Sequence, residues 1–339
     1  MSAALLVVRG LRVSYPLPAN RPWRRAQHIR AVDDVDFDLK PGETLGIAGE
    51  SGCGKSTLAR ALTGLQPITS GSARLLGTEL NGLYRAGWRA LRRDVQMVFQ
   101  DAIASLDPRM TISAIIAEPL INLHPRIPST ERRDRVLDMA EQVGLTARDL
   151  HRYPHEFSGG QCQRIGIARA LVARPRLLIC DEPASALDVS IRAQIINMLK
   201  GLQDKLNLSM IFISHDLAVL KSISHRVLIM YLGKVMEQAH CEELFADPAH
   251  PYTRALLSAA PRADPRQERA RRRITLDGEP PSPTASPTGC VFHARCPWVA
   301  ARCRSEIPEP HRFTLRRVAA CHYVGTLGDV PVRCGDEGR

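Results

Sequence analysis

Long apolar runs are absent: nowhere does the chain offer the roughly 20 apolar residues of a membrane-spanning helix, and no secretory signal opens it. Without a signal peptide, the nine cysteines argue against a disulfide framework, because a reducing cytosol keeps thiols free. No internal repeat is found, and the first 30 residues hold six arginines and no acid. What is present is ordinary for a globular protein. Of 339 residues, 44% are hydrophobic, 5% aromatic and 24% charged, which excludes disorder along the whole chain and allows about two domains. Among 46 basic residues only six are Lys, and the net charge is +11. Such a balance predicts an anionic partner: nucleic acid, nucleotide or lipid headgroups. The expectation is a soluble, basic, intracellular protein.

From Val32 to Leu257 short apolar runs alternate with helical patterns, predicting a parallel α/β sheet. Strands are predicted at Thr44–Ala48, Val95–Phe99, Leu177–Cys180 and Met210–Ser214, and helices at Lys55–Leu65 and Glu131–Val143. Pro16–Arg30 reads as an exposed basic loop. After Pro261 the chain turns highly charged (Arg262–Arg273), then Pro/Ser/Thr-rich (Pro280–Gly289), and ends in a Cys-rich tail from Cys290. The predicted organisation is residues 1–260, a linker over 261–289 and a small subdomain over 290–339.

Gly49, Glu50, Ser51, Gly52, Cys53, Gly54, Lys55, Ser56 and Thr57 match G-x4-G-K-[ST], between a predicted strand and a predicted helix. Glycines let backbone N–H groups close around phosphate oxygens, and the helix N-terminus adds about half a positive charge. Lys55 then reaches the β/γ-phosphates, and the Ser56 hydroxyl can ligate Mg²⁺. Leu177–Pro183 is an apolar strand ending in Asp181, suited to Mg²⁺, and Glu182, suited to activating water. A second apolar strand ends in His215, and Gln100 closes a third. All leave the strand edge where ligands bind in open α/β sheets. Ser158, Gly159, Gly160 and Gln161 precede a helical pattern. They fit a capping box, and also a second anion site at a helix N-terminus.

Together these residues resemble the ATP-binding cassette (ABC) ATPases over about residues 5–260. Gly49–Thr57 is similar to the Walker A loop, Gln100 to the Q-loop, Phe157–Gln161 to the signature, and Leu177–Glu182 to Walker B with its catalytic Glu. Ser185–Asp188 resembles the D-loop, His215 the switch His, and Tyr15 the aromatic that stacks on adenine. The resemblance implies a P-loop NTPase core of RecA type, with an antiparallel β subdomain and a helical signature subdomain at about 101–172. It implies Mg²⁺ held by Ser56, Gln100 and Asp181, and catalysis by Glu182 and His215. It also implies a head-to-tail dimer in which Ser158–Gln161 and Asp188 act in trans on the partner's ATP. Segments near Gln100–Ile112 resemble the surface that docks coupling helices of membrane subunits. Cys162 and Ala184 depart from common family residues without removing a catalytic group.

Outside the core, Arg152–Phe157, Val227–Gly233, His250–Leu256 and Gly278–Pro283 resemble the ATP-binding subunits of bacterial oligopeptide/dipeptide permeases, the F-type above all. That implies a partner D-type ATPase, two membrane permease subunits and a periplasmic solute-binding protein, at the cytoplasmic face of the inner membrane. Nickel chelates and glutathione stay open as cargo. A nucleic-acid ATPase of repair or translation is the rival. No nucleic acid is expected, because only about a hundred residues separate Lys55 from Ser158, too few for a coiled-coil arm, and only one cassette is present.

Cys290, Cys296, Cys303 and Cys321 are spaced C-x5-C-x6-C-x17-C. They read either as small buried thiols or as a metal staple for a segment too small for its own core, and they lack the paired C-x2-4-C of common zinc sites. The permease resemblance implies a [4Fe–4S] cluster there, favoured over zinc. Cys53, Cys162, Cys180, Cys241 and Cys334 read as structural or incidental.

Overall fold

The computed structural model describes residues 4–17, 28–260, 273–276, 278–279, 281–282, 287–314 and 317–328. Five buried strands form its parallel core: β3 (Thr44–Ala48), β6 (Val95–Val98), β7 (Leu177–Asp181), β8 (Ser209–Ile213) and β9 (Arg226–Tyr231), in the order β9-β3-β8-β7-β6. Both faces are covered, so these strands are apolar throughout. Period-two alternation divides them between two cores. Met210 and Phe212 face one, Ile211 and Ile213 the other. The four predicted strands are all present, each displaced by at most one residue at either end.

A second, antiparallel sheet covers one face: β1 (Leu6–Pro16), β2 (His28–Leu39), β4 (Ser70–Leu75) and β5 (Thr78–Glu79), in the order β2-β1-β4-β5. Pro16 pairs with His28, so the ends of the segment expected to be a basic loop are strand. Residues 18–27 of that segment lie outside the described residues, as do 261–272 and Cys334. The helix α1 (Lys55–Leu62) stops three residues short of its expected end. Thr63 Oγ1 bonds back to Ala59 O at 3.0 Å, and Gly64 adopts a left-handed φ of 71°.

Between β6 and β7 lie the helices α3 (Ile112–Leu123), α4 (Ser129–Gln142) and α5 (Gly159–Leu171), within the span expected for the signature subdomain. The capping box is formed: Gln161 N donates to Ser158 Oγ at 3.4 Å, and Ser158 N to Gln161 Oε1 at 3.0 Å.

The cysteine-rich segment packs on the cassette. Strand β9 turns into antiparallel β10 (Lys234–His240), and β12 (Arg317–Ala319) pairs with β10 and then with β11 (His311–Thr314). This extends the central sheet to eight strands. Phe292, Cys290, Cys296 and Cys303 belong to the same buried cluster as the α3–α5 helices, so the segment shares the cassette's core instead of building one. Phe292 meets Tyr231 edge-on at 5.4 Å and Tyr252 at 5.3 Å.

Candidate nucleotide site

The loop after β3 closes tightly around itself. Gly49 has φ 153° and Gly54 φ 106°; a Cβ at Gly49 would strike Met230 O, and one at Gly54 would strike Ala31 O. Only glycine permits that approach. Lys55 is buried at the start of α1, and its Nζ donates to Gly49 O at 2.7 Å and to Glu50 O at 3.0 Å. Its ammonium is thus held inside the cradle that anionic oxygens would fill. Ser56 Oγ donates to Asp181 Oδ1 at 2.9 Å across 125 residues of sequence. Burial raises the Asp181 carboxyl pKa, and the adjacent Glu182 adds to the rise; Ser56, Arg60 and Lys55 oppose it. A carboxylate under that pressure is one whose charge a cation relieves.

Glu182 follows directly, in the left-handed region at φ 47°. This conformation is uncommon for a residue with a Cβ. It is held by Glu182 N donating to Ile213 O at 3.1 Å, and it swings the side chain out of the strand to meet His215 Nδ1 at 3.1 Å. Strain of this kind concentrates where a side chain must be presented to chemistry. Asp216, the N-cap of α7 (Leu217–Ile223), pairs with Arg192 at 3.0 Å and anchors the His215 turn. Gln100 is exposed after β6 and shares with Asp181 a cavity of about 760 Å³. Tyr15, on β1, reaches Thr57 Oγ1 at 3.5 Å.

The structure therefore brings Tyr15, the 49–57 loop, Gln100, Asp181, Glu182 and His215 to one edge of the central sheet. Among the described residues, Ser158 and Gln161 bond to each other, and Asp188 caps α6 (Val189–Leu206) by accepting from Ser190 N and Ile191 N at 3.0 Å. Two contacts escaped the sequence reading. Tyr252 Oη accepts from Glu50 N at 2.9 Å, and Arg295 pairs with Glu50 at 2.7 Å. They join positions more than 200 residues apart, and no local pattern signals them.

The four C-terminal cysteines line one small cavity and are free thiols. Burial, with their mutual repulsion, pushes Cys290 up to about 11 and Cys296 up to about 12. Among the described residues, no group of three His, Cys, Asp or Glu side chains is placed to hold a metal ion.

A glycine-rich strand–loop–helix cradle, with Ser56 and Asp181 bonded beneath it and Glu182 beside His215, defines a P-loop ATPase of the ATP-binding cassette type. Solved structures agree. A dimeric cassette in a post-hydrolysis state bound to ADP and Pi superposes with TM-score 0.63 at 28% identity, covering 70% of this chain and 98% of that one. The chain matches the ABC transporter family over residues 32–185 and the oligopeptide/dipeptide transporter C-terminal region over 236–303. It is 52% identical over 306 residues to the oligopeptide transport ATP-binding protein OppF of Salmonella typhimurium, covering 90% of this chain and 92% of that protein. The di/tripeptide transport ATP-binding protein DppF of Pseudomonas aeruginosa is 49% identical, with 88% and 92% covered. This chain belongs to the ATP-binding proteins of the oligopeptide/dipeptide ABC transporters, and it is an ATPase of transport, not of nucleic-acid repair or translation.

Proposed function

We propose that the chain is the ATP-hydrolysing subunit of a bacterial importer of dipeptides and oligopeptides, working peripherally at the cytoplasmic face of the inner membrane. The observation that carries this is 52% identity across nine-tenths of the chain to an oligopeptide transport ATP-binding protein. No helix among the described residues is long and apolar enough to cross a membrane, so passage of cargo falls to partner subunits. Two permease subunits and a periplasmic solute-binding protein fill those roles. A second, D-type ATPase pairs head to tail, presenting its own signature to this chain's ATP, while Ser158–Gln161 and Asp188 of this chain face the partner's.

In this reading Lys55 leaves its carbonyl partners for the β/γ-phosphates, the loop N–H groups hold the same oxygens, and Tyr15 stacks on adenine. Ser56, Gln100 and Asp181 would hold Mg²⁺, which supplies positive charge against the β/γ-phosphates. Glu182 Oε2 takes the proton of the attacking water, and His215 orients that carboxylate through the 3.1 Å contact. Glu182→Gln keeps the shape but loses the base. It is expected to lower ATP turnover by about 10²–10⁴-fold while retaining ATP and trapping the closed dimer. Turnover near wild type overturns the role given to Glu182.

The same family reading assigns Cys290, Cys296, Cys303 and Cys321 to a [4Fe–4S] cluster. Four free, buried thiols around one cavity suit thiolate ligation, and positive charge there would relieve the burial that raises them. Bound, the group would staple the segment to β10. Iron and sulfide in anaerobically purified protein support it; stoichiometric zinc, or no metal, overturns it.

A further inference from the structure

The cysteine-bearing segment touches the phosphate-binding loop directly. Arg295 ends the 3-10 turn His293–Arg295, which Cys290 and Cys296 flank; His293 N donates to Cys290 O at 3.0 Å. Its guanidinium donates to Glu50 Oε2 at 2.7 Å, and the side chain is only 10% exposed. It lies 5.9 Å from the Tyr231 ring centroid. Glu50 is the second residue of the 49–57 loop, and its other groups are taken too. Its carbonyl accepts from Lys55 Nζ, and its N–H donates to Tyr252 Oη. The side-chain carboxylate is the piece that needs explaining. A fixed anion in a loop built to receive a triphosphate opposes binding unless a cation neutralises it, and a partly buried position weakens the screening that water would provide.

We propose that Arg295 is a positioning residue of the nucleotide site. By neutralising Glu50 and fixing its side chain, it keeps the phosphate cradle receptive to ATP and ties that cradle to the cysteine-lined segment. Arg295 touches neither ATP nor water, so its loss acts on nucleotide affinity and leaves the chemical step alone. The proposal rests on the 49–57 loop being the phosphate site.

The test uses the full chain, with ATP affinity from equilibrium binding and KM and kcat from steady-state hydrolysis. Arg295→Ala is expected to raise Kd and KM for ATP about tenfold, with kcat within about twofold, because an unpaired carboxylate then faces the triphosphate. Glu50→Gln in the Arg295→Ala background removes that anion and is expected to bring both constants back to within about threefold of wild type. A protein merely destabilised by the first substitution gains nothing from the second. Arg295→Gln, a gentler change that drops the charge alone, is expected to give an intermediate rise and reads the same quantity if the alanine variant folds poorly. Unchanged KM in both Arg295 variants, a fall confined to kcat, or a double variant no better than Arg295→Ala overturns the proposal. Lys55→Ala, measured alongside, tests the loop itself: retained ATP affinity there would remove the site, separately from any result at Arg295.

Discussion

His250 shows how one side chain can be fixed by burial. It is 1% exposed, and its ring nitrogen accepts from Tyr252 N at 3.0 Å, capping α9 (Pro251–Ala259). Burial drives its pKa down to about 3, with the Ala320 backbone opposing. The native ring thus stays neutral while the unfolded chain takes up a proton below its ordinary value near 6.5. Stability from this residue is complete above pH 6.5 and is lost as pH falls towards 3, by about 1.4 kcal/mol per unit. His250→Asn keeps an acceptor for the cap and removes the titration. Urea unfolding of the two proteins between pH 7 and 5 is expected to diverge by up to about 2 kcal/mol, with wild type losing more. Parallel curves would mean that His250 takes up its proton without unfolding. The periodic pattern and the Pro after His250 mark a helix start, but nothing in the sequence tells a buried neutral His from an exposed one.

At the scale of the element, helix termini carry two jobs in this fold. Asp188 accepts from two N–H groups at the head of the 18-residue α6, so it is a structural cap whatever it does for a partner subunit. Those backbone donors hold its pKa down, and Ser190 assists. Asp188→Ala is expected to cost about 1 kcal/mol of unfolding free energy in the isolated chain, and Asp188→Asn much less. Denaturant titration of both variants checks it, and equal losses would refute the cap. The capping box at Ser158 was legible from spacing alone, because both bonds form within four residues. The strands were legible for a similar reason: burial on both faces demands unbroken apolar runs, and their ends follow from Gly, Asp and His.

Across the whole molecule, the C-terminal segment departs most from the sequence reading. Spacing and composition predict a small separate subdomain, yet β12 joins the central sheet, and Phe292 is fully buried among Tyr231, Tyr252 and His250. Arg317 of β12 approaches Glu237 of β10 at 3.7 Å, and Glu237 accepts from Ala249 N and His250 N at 2.9 Å. Truncating Phe292 to Ala is expected to cost about 3–5 kcal/mol and to lower the melting temperature of the cassette as one transition. A separate early transition for the tail would contradict the shared core. The sequence by itself determined the phosphate loop, the acidic strand end, the capped signature helix and the parallel core, since each is written in contiguous residues whose chemistry acts locally. It also separated the nine cysteines into a clustered four and a scattered five. Tertiary structure alone decided that Ser56 bonds Asp181, that Glu182 turns left-handed to meet His215, and that Arg295 neutralises Glu50. Those contacts span up to 245 residues and depend on strand order and packing, which no local periodicity encodes.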